Sequence, residues 1–189
     1  HLSGAPANRD SVFPSSSILA AIDMINSEKS AVFISLGDNY FSSTPVYISN
    51  FVESFALKLS MPFFTAVGNH DRPSFEDNFG KTFFDFTYGS EQFIFLDTEL
   101  NKGEIKDGQL EYFRKVIYDF ERNQQLKNLF IYTHKPIWSA HNPIYEIVFE
   151  HVNNQADYPL DIHNFRNDIE PLLIEASLKF EKNIYWLSG

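Results

Sequence analysis

Apolar residues along the chain alternate between helical spacing and short unbroken runs, the pattern of helices interleaved with buried strands. Between Ser15 and Glu28, Ile18, Leu19, Ile22 and Ile25 fall on one side of a predicted amphipathic helix. Ala31 to Leu36 predicts a short strand that runs out at Gly37-Asp38-Asn39-Tyr40. Thr44-Pro45 then has the form of a helix start, an N-cap residue followed by proline in the first turn, and the helix is expected to continue to about Ser60. Pro62 opens the next strand, and Arg72 to Lys81 predicts a loop holding a short helix. Thr82 to Tyr88 and Gln92 to Asp97 predict two Phe-rich strands of a hairpin turning at Gly89-Ser90-Glu91. From Asp107 to about Gln125, Leu110, Phe113, Ile117 and Phe120 recur at helical spacing. Asn128 to Thr133 predicts a strand ending at His134-Lys135-Pro136, Phe165 to Phe180 a helix and Asn183 to Leu187 a last strand. Ser139 to Tyr158 shows no regular period.

This order predicts an α/β protein of two packed sheets flanked by helices, in one domain spanning residues 1–189. A chain of 189 residues, 43% hydrophobic with 20 Phe, can fill a core of that size. No apolar run reaches the length of a membrane span. The formal charge of −10 argues against a nucleic-acid-binding surface, although a bound cation can reverse the field locally for a small phosphate-containing substrate. With no Cys, any metal must be held by His, Asp, Asn and similar nitrogen and oxygen donors.

Polar clusters sit where the predicted strands end, the usual ligand crevice of α/β sheets. Asp38 follows Ser35-Leu36-Gly37, Asn69-His70-Asp71 follows Ala66-Val67-Gly68, and His134 follows Phe130-Ile131-Tyr132-Thr133. A carboxylate, an amide oxygen and imidazoles brought together at strand ends suit a pair of divalent or trivalent cations, with Asp38 able to bridge them. Asp71 is placed to orient His70 by accepting its second ring N–H. Gly-Asp and His-x-Pro are weak signals singly; Gly68-Asn69-His70-Asp71 is expected by chance in on the order of one chain in a thousand.

At these residues the chain resembles the calcineurin-like metallophosphoesterases, a superfamily that includes purple acid phosphatases and many phosphodiesterases. The resemblance implies a two-sheet α/β/β/α sandwich and a dinuclear centre of two divalent or mixed-valence metal ions, of the Mn, Fe or Zn type. It implies a metal-dependent phosphomonoesterase or phosphodiesterase in which a metal-held hydroxide attacks a small phosphoester. Carried over by position, Asp38 is the bridging carboxylate, Asn69 and His134 are ligands of the second metal, His70 is the catalytic histidine and Asp71 its orienting partner. His1, in His1-Leu2-Ser3-Gly4, matches the second half of the family's first Asp-x-His motif, the alternative being a terminal remnant. The close at Trp186-Leu187-Ser188-Gly189 matches the lead-in to its last motif, so the domain is expected to be incomplete at both termini. The alternative function is a non-catalytic module of the same fold, with a degraded metal site, acting as a binding surface or scaffold.

One departure bears on the metals. Purple acid phosphatases place a ligand Tyr three positions after the bridging Asp; here that position is Phe41, and Tyr40 stands one before it. A phenolate-bound ferric ion is therefore not expected. Among other polar residues, Asp97 is expected to cap the turn after its strand. His141, His151 and His163 are read as solvated loop residues, one of which could instead reach substrate. Trp138 and Tyr145 are expected in the core rather than as pocket walls, and Arg72 is either a phosphate contact or an ordinary surface arginine.

Overall fold

The computed structural model describes residues 11–140, 143–144 and 164–189, and the chain divides into two compact units, residues 1–82 and 83–189. In the first unit, helices α1 (Ser16–Ala20) and α2 (Ile22–Ser27) share the predicted apolar side but are separated at Ala21. Strands β1 (Phe33–Ser35) and β2 (Phe63–Thr65) pair in parallel, Phe33 opposite Phe63 and Ser35 opposite Thr65. Helix α3 (Pro45–Ser54) lies between them in sequence. Pro45 opens it as predicted, yet the Thr44 side chain makes no capping hydrogen bond.

Helix α3 stops at Ser54, short of the predicted Ser60, and a 3₁₀ turn follows at Ala56–Lys58. The cause is Phe55, whose backbone leaves the helical region (φ −126°, ψ −67°). Its fully buried ring meets Phe33 and Phe63 edge-on, at 5.5 and 6.5 Å between centroids. Burying that aromatic outweighs the few helical hydrogen bonds forgone. Tyr40, Ile48, Phe51 and Phe55 form the centre of this core, with Ile18, Leu19, Ile22 and Ile25 packed against it. The first unit then closes with a 3₁₀ turn at Arg72–Ser74 and the short helix α4 (Phe75–Phe79).

The second unit is a four-stranded sheet in the order β3 (Phe84–Tyr88), β4 (Glu91–Phe95), β5 (Asn128–Thr133), β6 (Asn183–Ser188). β3 and β4 are the antiparallel hairpin, closing through Gly89 at φ +62°, a value that favours glycine; β4, β5 and β6 run parallel. Helix α5 (Asp107–Arg122) buries Phe113, Val116, Ile117 and Phe120 against Ile94, Leu129 and Ile131. Helix α6 (Glu170–Phe180), preceded by a wide π-type turn at Phe165–Ile169, adds Ala176, Leu172 and Leu173 to the same core. The opposite sheet face carries two rows of rings in register: Phe84, Phe95 and Tyr132 form one, and Phe86, Phe93, Phe130 and Tyr185 the other. Neighbours stack at 4.5 to 5.4 Å along both rows. The architecture is thus mixed α/β with two sheets and helices, as the pattern predicted. No helix among the described residues is long and apolar enough to cross a membrane.

Candidate active site

Parallel pairing of β1 with β2 brings the segments after them side by side. Continuing the register by three residues sets Asp38 level with Gly68. The approach is close: a Cβ built on Gly68 would lie 2.3 Å from both the amide nitrogen and Oδ1 of Asp38. Only glycine fits there, which gives the Gly in Gly68-Asn69-His70-Asp71 a steric reason. Gly68→Ala is expected to destabilise the protein by about 1–3 kcal/mol, as overpacking does, since backbone rather than a flexible tip blocks the methyl. A denaturant midpoint equal to that of the unmodified protein would contradict this contact.

Asp38 has a left-handed backbone, φ +55°, directly after Gly37 at φ +96°. Non-glycine residues adopt that region at a cost, although Asp tolerates it better than most. The turn is held by Asp71, which is fully buried. Asp71 Oδ2 accepts the N–H of Asp38 at 2.7 Å and of Gly68 at 3.1 Å, while Oδ1 accepts the N–H of Asn39 at 3.0 Å. The Asn39 side-chain amide adds a further donor to Oδ2 at 3.3 Å. Asp38 Oδ1 in turn accepts the N–H of His70 at 3.1 Å, so the carboxylate of one strand end meets the backbone of the other.

This corrects the role expected for Asp71. His70 Nδ1 lies 2.6 Å from the carbonyl oxygen of Phe41, where a carboxylate was expected. The Asp71 oxygens instead serve the amides of the Gly37–Asn39 turn and of Gly68. A carbonyl oxygen only accepts, so His70 Nδ1 carries the hydrogen in this contact. The Phe41 ring lies against the imidazole, 5.4 Å between centroids and tilted by 32°.

Burial pushes the Asp71 carboxyl up from 3.8 to about 6, and the charge of Asp38 adds to the rise, while the amide hydrogen bonds oppose it. A carboxyl raised in the folded state favours folding most at acid pH and surrenders that as the pH climbs through about 6. At neutral pH the ionised Asp71 therefore costs the fold stability. A cation beside Asp38 would relieve the repulsion between the two carboxylates. Asp38 and Asn69 both carry hard oxygen donors of the kind such a cation takes. Among the described residues, no three His, Cys, Asp or Glu side chains gather closely enough to hold a metal alone. His1, His141, Tyr145, His151 and His163 lie outside the described residues.

Asn69 is exposed and His70 half-buried on the turn after β2, and Arg72 begins the 3₁₀ turn beyond them. Tyr40 is a core residue, fully buried against Phe51; burial, reinforced by the charge of Asp71, pushes its phenol above the ordinary range. In the second unit, His134 directly follows β5, half-buried, and its carbonyl accepts the N–H of Gly189 at 3.0 Å. Thr133 before it is fully buried, its hydroxyl accepting from Trp186 Nε1 at 2.9 Å and donating to the Lys135 carbonyl at 3.0 Å. Asp97 caps its turn as expected, Oδ1 accepting the N–H groups of Glu99 and Leu100 at 2.8 and 3.0 Å. Trp138 is half-buried against the core, with its indole N–H on Ser188 Oγ at 3.1 Å. Sequence reasoning missed Asn39 and the Phe41 carbonyl. Only the left-handed preference of an Asp-Asn pair after glycine hinted at the first, and a backbone oxygen leaves no mark on a sequence.

The sequence pattern of the calcineurin-like phosphoesterases matches residues 11–187. The chain belongs to that family. Its match spans both compact units of the phosphoesterase. Among solved structures, the chain is similar to the purple acid phosphatase PPD1 isolated from yellow lupin (Lupinus luteus) seeds, with a TM-score of 0.52 and 18% sequence identity. That likeness covers 92% of this chain and 33% of the lupin chain, so the chain spans about a third of the length of the structure it matches. It shows a shared fold. No curated protein matches the chain.

Proposed function

We propose that this calcineurin-like phosphoesterase hydrolyses a small phosphomonoester or phosphodiester with the help of two bound metal cations, divalent or mixed-valence. The observation that carries the reading is the contact between strand ends, His70 N–H on Asp38 Oδ1 at 3.1 Å. Through the His70 backbone it ties the turn that carries a carboxylate suited to a cation to the turn that carries an imidazole suited to proton transfer. Asp38, Asn69 and His134 serve as metal ligands, and His1 joins them if it is a native residue. The cations, when bound, neutralise charge on the phosphoryl oxygens and lower the pKa of a coordinated water.

The chain's own residues do the rest. With Nδ1 pinned by the Phe41 carbonyl, His70 in its imidazolium form presents an Nε2–H that donates to the leaving oxygen. The same N–H, within reach of a non-bridging oxygen, offsets charge gathering there. Asp71 belongs to the catalytic set as its positioning member, holding Asp38 rather than His70. Phe41 offers no phenol, which supports divalent Mn, Fe or Zn over a phenolate-bound ferric ion.

The test is hydrolysis of a nitrophenyl phosphomonoester and a nitrophenyl phosphodiester by the full-length protein, after chelation and after return of Mn²⁺, Fe²⁺ or Zn²⁺. Turnover of either ester that is lost on chelation and restored by one of these ions is expected. Turnover that survives thorough chelation would overturn the metal-dependent reading.

A further inference from the structure

We infer that Asn39 is a positioning residue, its side chain locking the Gly37–Asn39 turn onto Asp71 and the Ser35–Thr65 rung and so setting the direction of the Asp38 carboxylate. As far as metal binding goes, the inference rests on the role proposed above for Asp38. The turn needs an external hold, because Gly37 and Asp38 are two successive residues with positive φ, +96° and +55°, and Asp38 has no glycine freedom.

Asn39 is fully buried, and its side chain is satisfied at both ends. Nδ2 donates to Thr65 Oγ1 at 2.9 Å and to Asp71 Oδ2 at 3.3 Å, and Oδ1 accepts the Ser35 hydroxyl at 2.7 Å. Ser35 and Thr65 face each other as the last paired rung of β1 and β2. One amide thus ties both strands to the carboxylate that receives the Asp38 and Asn39 backbone N–H groups. The donor–acceptor pattern selects Asn. Aspartate would set a second carboxylate against Asp71, and an apolar residue would leave the Ser35 and Thr65 hydroxyls without this partner.

The test uses Asn39→Asp, nearly isosteric, and the milder Thr65→Val, which removes the hydroxyl that accepts from Nδ2 and, with it, that hydroxyl's bond to the Ala66 carbonyl at 2.8 Å. Ile48→Val, a core change in the same unit away from the turn, controls for lost stability. Two readouts separate positioning from simple weakening of the fold. The first is amide hydrogen exchange by NMR on metal-free protein. Protection at Asp38 and Asn39 should fall at least tenfold further in Asn39→Asp than at Ala66, whose N–H bonds the Ser35 carbonyl at 3.0 Å. The second is Mn²⁺ titration, where Asn39→Asp should weaken affinity roughly 10–100-fold, the usual cost of altering a residue behind a metal ligand. Thr65→Val should move both in the same direction by less, and Ile48→Val neither.

Unchanged exchange at Asp38 in Asn39→Asp and Thr65→Val would overturn the inference, as would an equal change in Ile48→Val. If the unmodified protein binds no Mn²⁺, Fe²⁺ or Zn²⁺, the metal reading falls, while selective loss of Asp38 protection still establishes Asn39 as the residue that holds the turn.

Discussion

Asp38→Asn is expected to leave a folded protein that no longer retains metal and no longer turns over phosphoesters. Asparagine tolerates the left-handed backbone that Asp38 adopts at φ +55°, and its amide oxygen can still accept the His70 N–H. The substitution therefore removes the charge while keeping the backbone conformation and the contact with His70. Removing the repulsion that Asp38 exerts on Asp71 even favours the fold slightly, because Asp71 is raised partly by that charge. Altering partners behind a metal ligand costs roughly 10–100-fold in affinity or activity, and loss of the ligand charge itself should exceed that range. Elemental analysis after gel filtration, paired with a denaturation curve, reads both halves of the expectation. Asp38→Ala should lose metal equally but also lose stability, since alanine lacks both the left-handed tolerance and the acceptor. Retained metal in a well-folded Asp38→Asn would remove Asp38 from the site.

His70→Ala should separate in the other direction, keeping metal and losing turnover. General acid catalysis by a placed imidazole contributes about 10²–10⁴-fold, and the loss should fall mainly in kcat. It should also depend on the leaving group. A nitrophenolate departs without a proton, whereas an alkoxide needs one, so the variant should be impaired less on nitrophenyl esters than on alkyl esters. Equal losses on both would mean that His70 acts on the phosphoryl oxygens and not on the leaving oxygen. The orienting contact is the Phe41 carbonyl, a backbone atom; side-chain changes at Asp71 are thus expected to act first through Asp38, with metal affinity falling before the leaving-group dependence changes.

Much of this was legible in the residues because burial imposes periodicity. The run Asn128 to Thr133 is a strand with its predicted bounds, and Leu110, Phe113, Ile117 and Phe120 face the core from α5. Strand-end placement of Asp38 and of Asn69-His70-Asp71 was likewise readable, since glycine and polar residues follow each apolar run. What the sequence hid was set by single tertiary contacts. Helix α3 ends early because one ring, Phe55, gains more by packing on Phe33 and Phe63 than by continuing the helix. Adjacency in sequence suggests that the Asp71 side chain meets His70. The parallel register instead delivers the Gly37–Asn39 amides to its carboxylate. Asn39 gave no signal beyond the turn preference of an Asp-Asn pair after glycine, and its role shows only when Thr65 and Ser35 are seen on either side of it.

The most direct test of the central claim is the metal content of the full-length protein, measured by elemental analysis on the same sample assayed for phosphoester hydrolysis. Close to two divalent ions per chain, with turnover that follows their occupancy, is the predicted result. A folded protein that takes up no Mn, Fe or Zn and hydrolyses neither ester would contradict it, and would leave the Asp38–His70 turn as part of a non-catalytic scaffold.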